Sequence, residues 1–138
     1  LNKAARDAAR DLRVHAATDV TGFSLSGHSL EVAENSGVTV EIDTAKVPIL
    51  TEAEELARFG FIPEGMYNNL DWVNGKIYYS PSIPLEKRDL MLDPQTSGGL
   101  LFFLPMEDAE TLVKRMDKDY VRIIGRVKKK GEYSVEFI

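Results

Sequence analysis

The stretch "HAATDVTGFSLSGHSLEVAENSG", residues 15–37, decides the fold because it joins an extended segment to a helix through a polar turn. Its short apolar lead-in predicts a strand, and the run from Phe23 to Asn35 predicts a helix that Gly37 ends. Between the two lies the cluster Thr18-Asp19-Val20-Thr21-Gly22. The free amides at the start of the following helix would favour an anion at this point.

The flanking segments predict further helices interspersed with strands. Small apolar residues recur at helical spacing from Leu1 to Leu12, and residues 38–42 alternate apolar and polar side chains as a half-buried strand does. The same criteria predict a helix at 84–92, a strand at 100–104 and a helix that begins at Pro105. Residues 61–82 are rich in Gly, Pro and Asn, and only one strand, at 76–79, is predicted there.

The last segment predicts two strands, 121–127 and 133–138, joined as an antiparallel hairpin around Lys130-Gly131. The basic cluster from Arg126 to Lys130 is interpreted as a solvated turn between them. Because helices and strands alternate with some antiparallel pairing, we predict an α+β fold. It would be a mixed or antiparallel sheet covered by helices, in a single domain that spans residues 1–138.

Composition excludes several classes of function. With 138 residues and 43% hydrophobic content the chain can bury a core, and its net charge of -5 argues against non-specific nucleic-acid binding. It has no cysteine, which excludes disulfides, thiolate metal sites and a cysteine nucleophile within this chain. No apolar run approaches the roughly 20 residues that cross a bilayer. We expect a soluble, cytoplasmic protein with no nucleic-acid or membrane partner.

Asp19 is the first candidate for a functional residue. Proteins typically hold Mg²⁺ with one or two carboxylates while water and phosphate oxygens complete the shell, so a single carboxylate among hydroxyls suits such a cation. Gly22 would let a ligand approach the backbone closely. The alternative is that Asp19 or Thr21 caps the helix, and the spacing alone favours the cap.

A second polar turn, "DPQTSGGLLFFLP" at 93–105, has the same ingredients. Its paired glycines, Gly98 and Gly99, permit positive φ, and amides in such a turn can form an anion-binding nest. The alternative, favoured for this motif alone, is a tight turn that leads into the strand. His15 and His28 are too far apart for a helical metal pair, and His28 is interpreted as a packed histidine rather than a general base.

Several stretches, taken in their order and spacing, resemble the C-terminal domain of the selenophosphate synthetase family, also called selenide, water dikinases. They are "LNKAARDAA" (1–9), "HAATDVTGFSLSGHSLEVAENSG" (15–37), "PEGMYNN" (63–69), "DPQTSGGLL" (93–101) and "IIGRV" (123–127). The family belongs to a superfamily that includes aminoimidazole ribonucleotide synthetase, whose C-terminal domain the predicted fold resembles.

The resemblance implies a two-domain enzyme that converts ATP, selenide and water into selenophosphate, AMP and phosphate. This chain would be its C-terminal half, with no catalytic residue of its own. The catalytic cysteine or selenocysteine would belong to an N-terminal domain that the chain lacks. We therefore expect the isolated chain to be inactive and the full-length enzyme to be a homodimer. An excised half would also explain why the chain begins at Leu1.

Residue by residue, the resemblance implies that Asp19 joins aspartates of the N-terminal domain in binding Mg²⁺ at the ATP phosphates. Six other residues would shape the same ATP-binding cleft, the last three being weaker candidates: Thr18, Thr21, Gly22, Ser97, Gly98 and Gly99.

The chain departs from the family pattern at two positions. Ser24 stands where the family has glycine, and Ser26 where it has leucine. If this glycine takes positive φ, Ser24 would strain the turn. An alternative function is therefore a catalytically inactive binding or regulatory module of the same fold. An amidotransfer-coupled enzyme of purine synthesis is less favoured because of "DPQTSGG".

Overall fold

The computed structural model describes residues 2–116 and 121–138, and this part of the chain has six helices and six strands. The helices are α1 (Lys3–Ala9), α2 (Ser24–Ser36), α3 (Ala53–Arg58), α4 (Glu64–Val73), α5 (Leu85–Leu92) and α6 (Met106–Arg115). The strands are β1 (Ala16–Asp19), β2 (Val38–Ile42), β3 (Ile77–Tyr79), β4 (Leu100–Phe103), β5 (Gly125–Lys129) and β6 (Val135–Phe137). None of these helices is long and apolar enough to cross a membrane.

The strands form two sheets, which confirms the predicted α+β class with mixed and antiparallel pairing. Strands β1 and β4 make an antiparallel pair. The other four lie in the order β3-β6-β2-β5, with β5 antiparallel to β2 and with β6 parallel to both β2 and β3. The first pair carries the polar turn at its end, and the larger sheet supports the helix that follows the turn.

The predicted hairpin between the last two strands is wrong, because β2 lies between β5 and β6. Val40 and Ile42 of β2 are buried, as are Val135 and Phe137 of β6, so placing the two strands side by side joins their apolar faces. The basic cluster is correspondingly part of β5 and not a turn. Burial of apolar side chains therefore decides the pairing against the local turn signal.

The segment 61–82, read from sequence as irregular apart from one strand, contains helix α4. Met66 and Val73 of this helix are almost completely buried, and Leu70 packs against the same core. These residues recur at helical spacing, which is the signal for an amphipathic helix. The strand predicted at 76–79 is confirmed as β3.

The core joins α2 to the larger sheet and so fixes the position of the polar turn. Leu30 and Ala33 of α2 are fully buried in one cluster with Ile42 and Phe137. Gly37 ends α2 in the left-handed conformation, with φ 63°, as predicted. Because α2 is held along its length, its first residues have a defined place beside the end of β1.

Candidate functional site

The two polar turns predicted from sequence lie side by side at the end of the β1–β4 pair. Asp19 is opposite Leu100 in the register. Beyond it, the Val20 amide donates to the Gly99 carbonyl at 2.9 Å, and the Gly98 amide donates to the Val20 carbonyl at 3.0 Å. The structure thus brings together the segments 18–22 and 93–99, which the motifs predict as two separate turns and which the family resemblance assigns to one cleft.

Gly98 is required by close approach of the backbone. A Cβ atom at this position would lie 2.2 Å from the Val20 carbonyl oxygen, far inside van der Waals contact. Neither Gly98 nor Gly99 has positive φ, so the reason predicted for the paired glycines is wrong. Gly98 lets the second turn pack directly on the first, whereas a Cβ atom at Gly99 would meet nothing within 4 Å.

Asp19 does not cap the helix. Helix α2 begins at Ser24 with Phe23 in the N-cap position, and no side chain caps it, so the capping alternative is wrong for both Asp19 and Thr21. The Asp19 side chain is exposed and has no hydrogen bond or ion pair with any residue in 2–116 or 121–138. An exposed carboxylate at a fixed strand end, unpaired within the described part of the chain, is suited to bind an external cation.

Thr21 belongs instead to a chain of three side chains. Its Oγ1 lies 3.0 Å from Nε2 of His28, and Nδ1 of His28 lies 2.9 Å from Oε2 of Glu31. The His28 side chain is only 10% exposed, which agrees with the prediction of a packed histidine. Sequence reasoning missed its two partners. The His-x-x-Glu spacing on a predicted helix was a usable signal for the second.

An aromatic pair covers the histidine. The Phe23 ring lies 5.7 Å from the His28 ring and stacks on Trp72 at 5.2 Å between centroids. Gly27 makes room for this pair, because a Cβ atom there would lie 2.8 Å from the Phe23 Cβ and 2.9 Å from the Trp72 ring. The hydrogen-bonded side chains of Thr21, His28 and Glu31 are therefore covered, at His28, by the stacked rings of Phe23 and Trp72.

Asn69 of α4 hydrogen-bonds to the polar turn, and sequence reasoning missed this role although Asn69 lies in the motif "PEGMYNN" that supports the family resemblance. Its Nδ2 donates to the carbonyl oxygens of Gly22 and Leu92, each at 3.0 Å. Asn69 is nearly buried, so both bonds are shielded from water. Through this amide the end of α5 and the polar turn are fixed relative to each other.

The remaining predicted residues have smaller roles within the chain. The Thr18 hydroxyl donates to the carbonyl of Asp19 at 3.2 Å, and the Gly98 carbonyl accepts from Asn2 at 3.1 Å. Ser97 is exposed. Gly22 is exposed as well, and a Cβ atom there would meet nothing within 4 Å, so no contact within the described part of the chain requires glycine at this position.

The two departures from the family pattern differ in consequence. Ser24 has φ 66°, the single positive φ at a non-glycine position in the described part of the chain, as the family glycine suggested. Ser26 is well accommodated, since its Oγ donates to the Met91 carbonyl at 2.8 Å and lies 2.9 Å from the Tyr79 hydroxyl. Burial raises the pKa of Tyr79 to about 12, so this phenol keeps its proton and donates to Ser26.

The site suits one side of a magnesium ion rather than a complete metal centre. No group of three or more His, Asp or Glu side chains that could hold a metal ion exists among residues 2–116 and 121–138. The exposed carboxylate of Asp19, with the Thr21 hydroxyl nearby along the chain, fits a cation whose other ligands come from phosphate, water and residues elsewhere.

A separate cavity of about 650 Å³ lies on the other side of the β1–β4 pair. Its walls are mainly aliphatic, with Val20 and Leu100 on one side and Val40 and Ile42 on the other. Asp93 lines it, and burial raises the pKa of this carboxyl. Asp19, Thr21 and His28 do not contribute to its walls, whereas Val20, Gly98 and Gly99 of the two polar turns do, so the cavity borders on the polar site.

Comparison with known proteins identifies the family of the chain. All of residues 1–138 match the family described as AIR synthase related protein, C-terminal domain. The chain belongs to this family. It is 46% identical over 134 residues to a selenide, water dikinase of Clostridium botulinum (strain Eklund 17B / Type B), an alignment that covers 96% of this chain and 39% of the relative.

Other family members of the same name are nearly as similar. Identity is 45% over 138 residues to the selenide, water dikinase of Caldanaerobacter subterraneus subsp. tengcongensis, covering 98% of this chain and 40% of that protein. For Clostridioides difficile (strain 630) it is 44% over 135 residues, covering 96% and 39%. The chain thus spans about two fifths of the length of these relatives.

Proposed function

We propose that the chain is the C-terminal half of an ATP-dependent selenophosphate synthetase and forms one wall of its Mg²⁺-phosphate site. The full-length enzyme would convert ATP, selenide and water into selenophosphate, AMP and phosphate. One observation carries the proposal: Asp19 is an exposed carboxylate with no partner among residues 2–116 and 121–138 and no capping role, at a strand end where two glycine-containing turns meet. Relatives named selenide, water dikinase make this reaction the best supported one.

In the proposed reaction this chain would help to position the phosphates and to hold the cation that neutralises their charge. Phosphoryl transfer depends mainly on holding the phosphates in line and neutralising their charge, which a bound Mg²⁺ would supply. Asp19 would hold the cation from one side. Thr18, Thr21 and Gly22 would line the ATP cleft next to it. Ser97, Gly98 and Gly99 would complete that wall, with Gly98 and Gly99 held against Val20 by the backbone bonds described above.

The rest of the machinery would lie outside this chain. We propose an N-terminal domain that carries the catalytic cysteine or selenocysteine and the other metal-binding aspartates, so that Mg²⁺ and ATP are shared between the domains. The full-length protein would be a cytoplasmic homodimer, with ATP and selenide as its small-molecule partners. The isolated 138-residue chain would then be inactive.

The first test is selenide-dependent formation of AMP from ATP and Mg²⁺ by the full-length protein that contains this chain. We expect Asp19→Asn to lower the rate by at least about 100-fold. Loss of a residue that only hydrogen-bonds to a metal ligand already lowers metal affinity or activity by about 10- to 100-fold, and loss of a ligand should cost more. The matched control is Glu55→Gln, which removes an exposed carboxylate from α3, away from the polar turn.

The outcomes separate the proposed site from the proposed reaction. Full activity in Asp19→Asn would remove Asp19 from the metal site while leaving the reaction in place. No activity in the unsubstituted full-length protein would favour the alternative, an inactive binding or regulatory module that retains the fold.

A further inference from the structure

Glu31, His28 and Thr21 are linked by two hydrogen bonds, and in each of them one group is the donor and the other the acceptor. We infer that Glu31 and His28 are positioning residues that hold the Thr21 proton toward the protein. Thr21 then offers only oxygen lone pairs to the cleft, and it serves as a second ligand of the cation beside Asp19 rather than as a donor to phosphate. The inference rests on the proposed function, since it assigns residues to the same Mg²⁺-phosphate site.

The hydrogen-bond chemistry fixes the direction from the outer end. An ionised carboxylate accepts hydrogen bonds and cannot donate, so the 2.9 Å contact between Glu31 and His28 places the ring proton on Nδ1. A neutral imidazole then has a bare Nε2, which accepts. With the ring in this neutral form, the 3.0 Å contact at Nε2 uses the hydroxyl proton of Thr21, whereas a doubly protonated ring would reverse the contact.

The consequence for Thr21 follows from what remains on its oxygen. Once its proton is directed at His28, the hydroxyl has only lone pairs to offer to other groups. Phosphate oxygens are acceptors and gain nothing from such a group, whereas Mg²⁺ binds oxygen lone pairs. This changes the role expected for Thr21 from a phosphate contact to a cation contact.

The backbone places Thr21 on the same side as Asp19. Both polar groups of Val20 are bonded to the opposite turn, so the extended chain continues past the end of β1. Side chains alternate along extended backbone, and residues on either side of Val20 share a face. The opposite face, with Val20 itself, lines the apolar cavity.

The positioning residues are held in place by packing. The His28 side chain is 10% exposed and lies beneath Phe23, while the Glu31 side chain is 43% exposed at the outer end of the chain. A carboxylate that fixes the tautomer of a buried histidine is a recurrent way to orient the groups around a metal. Here the histidine would orient a hydroxyl ligand in place of binding the metal itself.

The first test reads the proton position directly. Nitrogen-15 NMR of the imidazole in the metal-free full-length protein should show His28 with a proton on Nδ1 and a bare Nε2. In Glu31→Gln the amide can donate or accept, so we expect a mixture of tautomers. A proton on Nε2 in the unsubstituted protein would overturn the inference.

The second test measures the cation. We would titrate the full-length protein with Mn²⁺ in the presence of ATP and follow free Mn²⁺ by electron paramagnetic resonance. Thr21→Val should weaken Mn²⁺ binding by about 10-fold or more, Glu31→Gln by about 10-fold, and Thr21→Ser should restore most of the affinity. One matched control is Thr111→Val, which removes a hydroxyl that donates to the Glu107 carbonyl within α6. The other is Glu34→Gln, which removes a carboxylate three residues after Glu31 in α2 that pairs with Lys76.

The results distinguish this inference from the proposed function. Thermal unfolding of each variant identifies a merely structural effect, since Thr21→Ser and Thr21→Val should melt within a few degrees of each other. Unchanged Mn²⁺ affinity in Thr21→Val, or no Mn²⁺ binding by the unsubstituted protein, would contradict the inference. If the Mn²⁺ affinities and the NMR spectra are as expected but the full-length protein forms no AMP in the presence of selenide, the proposed reaction is contradicted and this inference is not.

Discussion

Ser24 adopts a backbone conformation that glycine adopts at little cost. Its φ is 66°, and its side chain is fully buried with one long contact, 3.5 Å from Oγ to the Gly27 amide. The left-handed conformation costs an L-residue about 1–2 kcal/mol, while a glycine loses up to about 1 kcal/mol more chain entropy on folding. The serine therefore stores strain directly beside the proposed site.

We predict that Ser24→Gly raises the free energy of unfolding by about 0.5–1 kcal/mol, measured by urea denaturation. Ser24→Ala is the matched control, because it removes the hydroxyl and keeps the Cβ atom that causes the strain. An equal gain in both variants would trace the effect to the buried hydroxyl. A loss of stability in Ser24→Gly would contradict the strain argument.

At the scale of secondary-structure elements, Glu41 connects three strands by charge. Its carboxylate accepts from Arg126 Nε at 2.6 Å and from Lys128 Nζ at 2.9 Å, both on β5. Lys128 also donates to Glu136 of β6 at 2.6 Å. The hydrogen bond from Lys128, followed by that from Arg126, lowers the pKa of Glu41 below its ordinary value.

This lowered pKa makes part of the sheet's stability dependent on pH. A carboxyl whose pKa is lower in the folded state stabilises the protein above its unfolded pKa, and the contribution is lost as pH falls through the folded value. We predict that Glu41→Gln lowers the free energy of unfolding at pH 7 by about 0.5–1 kcal/mol, since Arg126 is 69% exposed and solvent screens the pair.

The measurement is urea denaturation of Glu41→Gln and the unsubstituted protein from pH 7 downward. Their stabilities should converge once the pH lies below the folded pKa of Glu41. Glu132→Gln, an exposed carboxylate between β5 and β6, serves as control and should show no such convergence. A difference that stays constant with pH would mean that packing, and not charge, accounts for the effect.

The elements differ in how far the sequence could predict them. Helix α2 and strand β2 follow from local periodicity and from Gly37. Helix α4 was missed because two of its residues make contacts with distant segments. Gly65 lies against Pro94, where a Cβ atom would be 2.9 Å from the proline ring, and Asn69 donates to two carbonyl oxygens. Both residues are poor helix formers, so tertiary contacts here override local propensity.

The candidate site, like the secondary structure, could be predicted from the sequence only in part. Motif composition was enough to single out the two turns and Asp19, while the register of β1 with β4 that joins them is a long-range property. The link from Thr21 to His28 depends on how the backbone turns between residues 22 and 24, including the positive φ of Ser24. No spacing rule supplies that geometry.

At the scale of the whole molecule, Phe137 joins the sheet to its helices. It is fully buried, and its ring stacks on Tyr79 with 5.0 Å between centroids and 2° between planes. We predict that Phe137→Ala lowers the free energy of unfolding by about 3–5 kcal/mol, measured by urea denaturation of the 138-residue chain. That is a large share of the roughly 5–15 kcal/mol typical of a folded protein.

The neighbouring residue provides the control for this experiment. Ile138 is 48% exposed, and Ile138→Ala keeps its backbone hydrogen bonds with Ile42 and Thr44, so we expect a loss below about 1 kcal/mol. A similarly small loss in Phe137→Ala would show that the buried ring is not central to the core.

The place of β6 in the middle of the larger sheet affects how the molecule is made. A ribosome releases β2 and β3 long before residues 135–137, which follow every other described strand. Until then, the backbone edges that face β6 have no partner, and open edges invite pairing with other chains. The nascent polypeptide therefore carries an unprotected β-edge from the synthesis of residues 38–42 until residues 135–137 are made, a state in which chaperones would recognise it.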